Sequence, residues 1–157
     1  MCGIIGYVGE KLAVPILLDG LKKLVYRGYD SSGIGVVTPK NGEIVVCKTQ
    51  GKIQNLQNLL KNHPLPSGVV GISHTRWATH GAPNHVNSHP HFSSSKKILV
   101  VHNGIIENYE TLKEQLVKKG HQAIAGGIRF RCHLQRLSRY FDCGPCRLAA
   151  DYRCGEK

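Results

Sequence analysis

Apolar positions repeat legibly through about residue 122, and the elements follow from their spacing. Small and apolar residues fill CGIIGYVG at positions 2–9, as in a buried strand, with Gly6 and Gly9 allowing close backbone approach. In AVPILLDGLKKL, Val14, Leu17, Leu18, Leu21 and Leu24 fall on one helical face, and Pro15 is tolerated there only in the first turn. SGIGVVTP and EIVVCKT are β-rich runs separated by KNG, a hairpin signal. IQNLQNLLK predicts a short amphipathic helix, ended by NHPLPSG. Then come the strand GVVGISHTR, a His-, Asn- and Pro-rich loop over 77–95, and the strand KKILVVHNGIIE. A helix in NYETLKEQLVKKG follows, closed by Gly120. This order predicts a layered α+β domain with antiparallel sheets and no internal repeat.

Beyond residue 122 the pattern is lost. AIAGGIRFRCHLQRLSRYFDCGPCRLAADYRCGEK fits neither a helix nor a strand template. Composition changes at the same place: Lys dominates the basic residues before it and Arg those after it. Four of the six cysteines also lie in this stretch. The expected organisation is therefore one domain over 1–122, incomplete at its C-terminal end, and an aberrant, poorly packed tail over 123–157.

The 157 residues suffice for a core, and no apolar run approaches membrane-spanning length. A basic region leading into an apolar segment is missing from the start of the chain, so a soluble cytoplasmic protein with reduced cysteines is expected. The net charge of +11 raises the question of nucleic acid. Its lysines, however, are scattered singly or in pairs, and aromatic residues make up only 6%, too few for a base-stacking surface. Neither a nucleic-acid nor a membrane partner is expected.

Three stretches could carry chemistry. Cys2 stands directly behind Met1; removal of Met1 would place a thiol and a free α-amine on one residue. An α-amine with a pKa near 7.7–8.0 can serve as the base that makes the thiolate. Read alone, a cysteine here is more often a small buried strand residue. HTRWATHG, residues 74–81, joins Arg76, which can grip a carboxylate bidentately, to Trp77, whose indole can cover a ligand. In VVHNGIIEN an apolar strand delivers His102, Asn103 and Gly104 to its exit; an Asn amide and a Gly N–H can stabilise a tetrahedral oxyanion, although a bare Asn-Gly is commonly just a turn. A metal site over His80, His85, His89 and His91 competes, but no Cys or paired carboxylate accompanies them at regular spacing. The tail holds Cys132, His133, Cys143, Cys146 and Cys154 with a single C-x-x-C. Zinc held there, in a non-catalytic binding module, is the alternative reading.

Taken together with YRGYDSSGIG at 26–35 and NSHPH at 87–91, these stretches resemble the glutaminase domain of the glucosamine-6-phosphate synthases, a family of class II glutamine amidotransferases. The N-terminal CGI and the Asn-Gly are shared across the superfamily, whereas YRGYDSSGI, HTRWATHG, NSHPH and VVHNGIIEN point to the hexosamine-forming branch. The likeness runs from Cys2 to about Gln122. It implies a four-layer αββα sandwich of the N-terminal-nucleophile hydrolase type. It also implies hydrolysis of glutamine to glutamate and ammonia through a Cys2 thioester, without cofactor or metal. Cys2 would be the nucleophile, with Asn103 and Gly104 as the oxyanion hole. Arg76 would hold the α-carboxylate, Thr79 and His80 would line the pocket, Trp77 would act in a mobile lid, and Arg27 would support the surroundings of Cys2. The partner implied is a sugar-isomerase domain, absent from this chain, that accepts the ammonia for fructose 6-phosphate.

The chain departs from that family after LVKKGHQ. The family continues with an acidic segment whose aspartate binds the substrate α-amino group, whereas no acid lies here between Glu114 and Asp142. Codons for Ile128 to His133, read one nucleotide later, can encode Ser-Asp-Ser-Asp-Val-Ile. The tail is accordingly read as the product of a shifted frame, and weak or absent activity is expected of the chain as it stands.

Overall fold

The computed structural model describes residues 2–25, 28–77, 83–93, 95–104, 106–119, 140–142 and 147–152. Its elements follow in the order β1 (Gly3–Val8), α1 (Ala13–Leu24), β2 (Ser31–Val37), β3 (Ile44–Gln50), α2 (Ile53–Asn62) and β4 (Val70–Arg76). They continue with β5 (His91–Phe92), β6 (Ile98–Asn103), α3 (Tyr109–Lys118), β7 (Tyr140–Asp142) and β8 (Arg147–Tyr152). The first sheet has the order β1-β4-β2-β3 and is antiparallel throughout. The second has the order β5-β6-β8-β7. The expectation of purely antiparallel sheets fails at one pair, because β6 and β8 run parallel from Ile98↔Arg147 to Asn103↔Tyr152. Parallel neighbours need a long crossover, and the sequence between these two strands is long enough to supply one.

Helices cover one face of the first sheet and the second sheet covers the other. α1 buries Ala13, Leu17 and Leu21, and α2 buries Ile53, Leu56 and Leu60; both pack on Ile34, Val36 and Cys47 of the sheet. Each such leucine contributes about 1.5–3 kcal/mol through burial. The first turn of α1 has no side-chain cap; instead Ala13 donates its N–H to the Gly68 carbonyl at 2.7 Å. Between the sheets lies a second cluster of Val37, Ile44, Ile72, Leu99 and Val101. The α+β sandwich expected from the element order is therefore the architecture observed. α3 follows β6 and buries none of its residues.

The sheets approach closely because the central strand β2 carries glycines on its inner face. A Cβ on Gly35 would collide with Leu99 of β6, and one on Gly33 with the His89 carbonyl. The tail, which shows no strand pattern, supplies the backbone of β7 and β8. The three residues of β7 are too few for alternation to show, and RLAADY in β8 does not alternate apolar with polar positions. Among the described residues no helix is long and apolar enough to cross a membrane.

Candidate active site

Strand alternation determines what faces the gap between the sheets. On β4, Ile72 belongs to the inter-sheet core, so His74 and Arg76 point to the same side. On β6, Leu99 and Val101 face them, and Asn103 continues that row. The gap is thus apolar at one end and polar at the other. At the polar end His74 Nε2 lies 2.8 Å from Asn103 Oδ1.

Cys2 sits at this polar end, just before β1. The Trp77 N–H donates to its Sγ at 3.2 Å, and Sγ lies 3.6 Å from the Trp77 carbonyl oxygen. Asn103 Nδ2 donates to the Cys2 carbonyl at 3.2 Å. The next residue, Gly3, donates its N–H to Thr75 Oγ1 at 3.1 Å. Residues from two distant stretches thereby converge on the N-terminal cysteine. Gly104 follows Asn103 with φ +142°, a backbone conformation that favours glycine.

Arg76 is 8% exposed. Its Nη1 lies 3.6 Å from Asp30 Oδ1, and the same carboxylate oxygen accepts from Ser31 Oγ at 3.1 Å. Trp77 is nearly half exposed, and Gly28 lies against its ring. Of the residues expected from sequence, Cys2, Arg76, Trp77, Asn103 and Gly104 are brought together. Arg27, Thr79 and His80 lie outside the described residues. Asp30 and His74 were not anticipated as site residues. The motifs contained both, but single acidic and histidine residues carry no pattern that marks a contact with a neighbouring strand, as for Asp30, or with the facing sheet, as for His74.

Behind Asn103 the rings of His74 and His89 lie with centroids 4.3 Å apart and planes tilted by 32°, and His91 meets His89 edge-on at the same separation. Burial holds His74 down to about 4, only partly offset by its bond to Asn103, and holds His91 at about 4. His89 is lowered further by burial and by its charged or titratable neighbours. Lys48 tethers the loop carrying these rings, donating to the Ser88 carbonyl at 2.6 Å and to that of Pro90 at 3.3 Å. Despite this clustering, no group of three or more His, Cys, Asp and Glu among the described residues is arranged to hold a metal. The tail cysteines and His133 lie outside the described residues.

No family model matches the chain. It is 55% identical over 121 residues to the glutamine–fructose-6-phosphate aminotransferase (isomerizing) of Bacteroides thetaiotaomicron, which spans 77% of this chain and 19% of that protein. The enzyme of the same name from Pyrococcus horikoshii is 54% identical over 121 residues, again 77% of this chain and 20% of the relative. The chain spans about a fifth of the length of these curated relatives. Among solved structures, the glutamine phosphoribosylpyrophosphate amidotransferase of B. subtilis, complexed with ADP and GMP, superposes with a TM-score of 0.62 at 30% identity. It covers 78% of this chain and 26% of its own.

Proposed function

We propose, on the premise that this chain belongs to the class II glutamine amidotransferases, that its site hydrolyses the side-chain amide of glutamine. The observation that carries this reading is the convergence on Cys2: Sγ receives the Trp77 N–H, and the Cys2 carbonyl receives the Asn103 amide. An N-terminal thiol with an oxyanion donor beside it suits acyl transfer.

Removal of Met1 exposes the Cys2 α-amine. The amine takes the thiol proton as sulfur attacks the amide carbon, and the negative charge on oxygen is met by Asn103 Nδ2 and the Gly104 N–H. The amine returns its proton to the departing nitrogen, the C–N bond breaks, and ammonia leaves behind a thioester. Water then attacks with the amine again as base, and glutamate is released as the thiol is reprotonated. Arg76, steadied by Asp30, would hold the α-carboxylate. Trp77 would close over the ligand, with Thr79 and His80 lining the pocket and Arg27 supporting the N-terminus.

The acceptor of the ammonia would be a sugar-isomerising domain, as the names of the relatives suggest, with fructose 6-phosphate as the sugar. Residues 1–122 would form the glutaminase part, and 123–157 a tail from a shifted frame. Lacking the aspartate for the substrate's ammonium, the chain would work weakly or not at all. The test is glutamate release from glutamine by protein beginning at Cys2, compared with Cys2→Ala. Glutamate formation that is unaffected by Cys2→Ala would overturn the assignment.

A further inference from the structure

We propose that His74 is a positioning residue for the oxyanion hole: its Nε2–H holds Asn103 Oδ1, so that the other end of the amide, Nδ2, is presented to Cys2. This rests on the reading of Cys2 and Asn103 as an acyl-transfer pair. An Asn side chain has a donor end and an acceptor end of nearly the same shape, and only the donor end stabilises an oxyanion. Asn103 lies at the end of β6, and its backbone cannot choose between the two orientations. The choice is made from behind: His74 Nε2 stands 2.8 Å from Oδ1, while Nδ2 reaches the Cys2 carbonyl at 3.2 Å.

The His74 ring is well placed to impose that orientation. It is 1% exposed, on the strand β4 that also carries Arg76. It lies against His89 with the two ring planes tilted by 32°, His91 meets His89 edge-on, and Lys48 holds their loop through the carbonyls of Ser88 and Pro90. The NSHPH stretch thereby gains a role as the wall that keeps the ring from turning. Burial keeps His74 neutral at physiological pH, so its tautomer is decisive. A proton on Nε2 supports the observed amide orientation. A proton on Nδ1 would set a bare nitrogen lone pair against Oδ1 and favour the flipped amide, with oxygen facing the oxyanion.

The test compares two reactions of Cys2 in the chain beginning at that residue. With p-nitrophenyl acetate the thiolate attacks the ester carbonyl, the amine takes the thiol proton, an oxyanion forms, and p-nitrophenolate leaves. With iodoacetamide the thiolate displaces iodide at a saturated carbon, and no oxyanion forms. Modification is read on the peptide carrying Cys2 by mass spectrometry. His74→Phe should slow acylation about ten- to a hundredfold, up to the lower end of the about hundred- to thousandfold cost of a lost oxyanion donor, with alkylation unchanged. His74→Gln, whose amide nitrogen can replace ring Nε2, should recover most of the loss. An equal fall in both reactions, or a Gln variant no better than Phe, would overturn the proposal. Nitrogen NMR of the unsubstituted chain needs no variant to fold: it should show a pyrrole-type Nε2 and a pyridine-type Nδ1 for His74, and the opposite tautomer would overturn it. Because the ester needs no glutamine pocket, this pattern supports the positioning role even where glutamine is not turned over; lack of turnover counts against the glutaminase reading alone.

Discussion

Leu99 of β6 occupies the space that a Cβ on Gly35 of β2 would need. The two residues join the sheets at the centre of the inter-sheet core, where Leu99 is fully buried. Gly35→Ala should therefore destabilise the fold by about 1–3 kcal/mol through overpacking. Leu99→Ala should cost about 2–5 kcal/mol through the cavity it leaves. The double variant should be less destabilised than the sum of the two, because the new methyl enters the vacated space. Urea unfolding of the four proteins measures this; strict additivity would show that the two side chains do not compete for one space.

Activity, where present, should require a chain that starts at Cys2. Protein still carrying Met1 has no free amine beside the thiol and should release no glutamate. Cys2→Ala should abolish turnover while changing stability by less than about 1 kcal/mol, since the Asn103 bond goes to the backbone carbonyl of residue 2 and survives the change. Intact mass, a glutamate assay and a thermal melt on the same samples check all three expectations.

Acid should loosen the polar end of the sandwich. His74 faces Arg76 and His102, His89 faces His74, His91, His102 and Lys48, and His91 faces Lys48, His74 and Arg76. All three rings are held neutral well below the ordinary 6.5, with His74 and His91 near 4. Between those values the unfolded chain binds more protons than the folded one. Stability is thus complete above about pH 6.5 and is lost as pH falls toward 4. For His74 alone the loss is on the order of 3 kcal/mol, at 1.36 kcal/mol per pKa unit. Urea midpoints from pH 7.5 to 4.5 should fall accordingly, and His74→Phe should flatten the slope. A midpoint that is constant over that range would contradict the burial argument.

Glutamine turnover by the chain as it stands should be poor. The substrate's ammonium would lack its carboxylate partner, since no acid lies between Glu114 and Asp142. A charge-assisted hydrogen bond contributes about 1.5–3 kcal/mol. Its loss weakens recognition about ten- to a few-hundredfold, at 1.4 kcal/mol per tenfold. If the tail comes from a shifted frame, as proposed, a chain read in the other frame after Gln122 should show a higher kcat/KM for glutamate release. Ordinary kcat/KM in the unmodified chain would mean that another group meets the ammonium.

Local pattern alone determined most of the elements. The leucines of α1 and the amphipathic spacing of α2 were legible because each helix buries a single face with period 3.6, and β2, β3, β4 and β6 because short β-branched and apolar runs stand between turn signals. The motifs around Cys2, Arg76, Trp77, Asn103 and Gly104 were legible for another reason: unusual residue types stand together in short runs. Contacts between runs were not legible. That His74 would back Asn103, that Asp30 would steady Arg76, and that the tail would lay β8 parallel to β6 depend on register and on which faces meet. Those are long-range choices: the first is made by how two sheets pack at close approach over Gly33 and Gly35, the other two by which strands pair within a sheet and in what register. A histidine in a strand looks the same in sequence whether it faces solvent, a helix or an oxyanion-hole amide; only the fold places it against one of them.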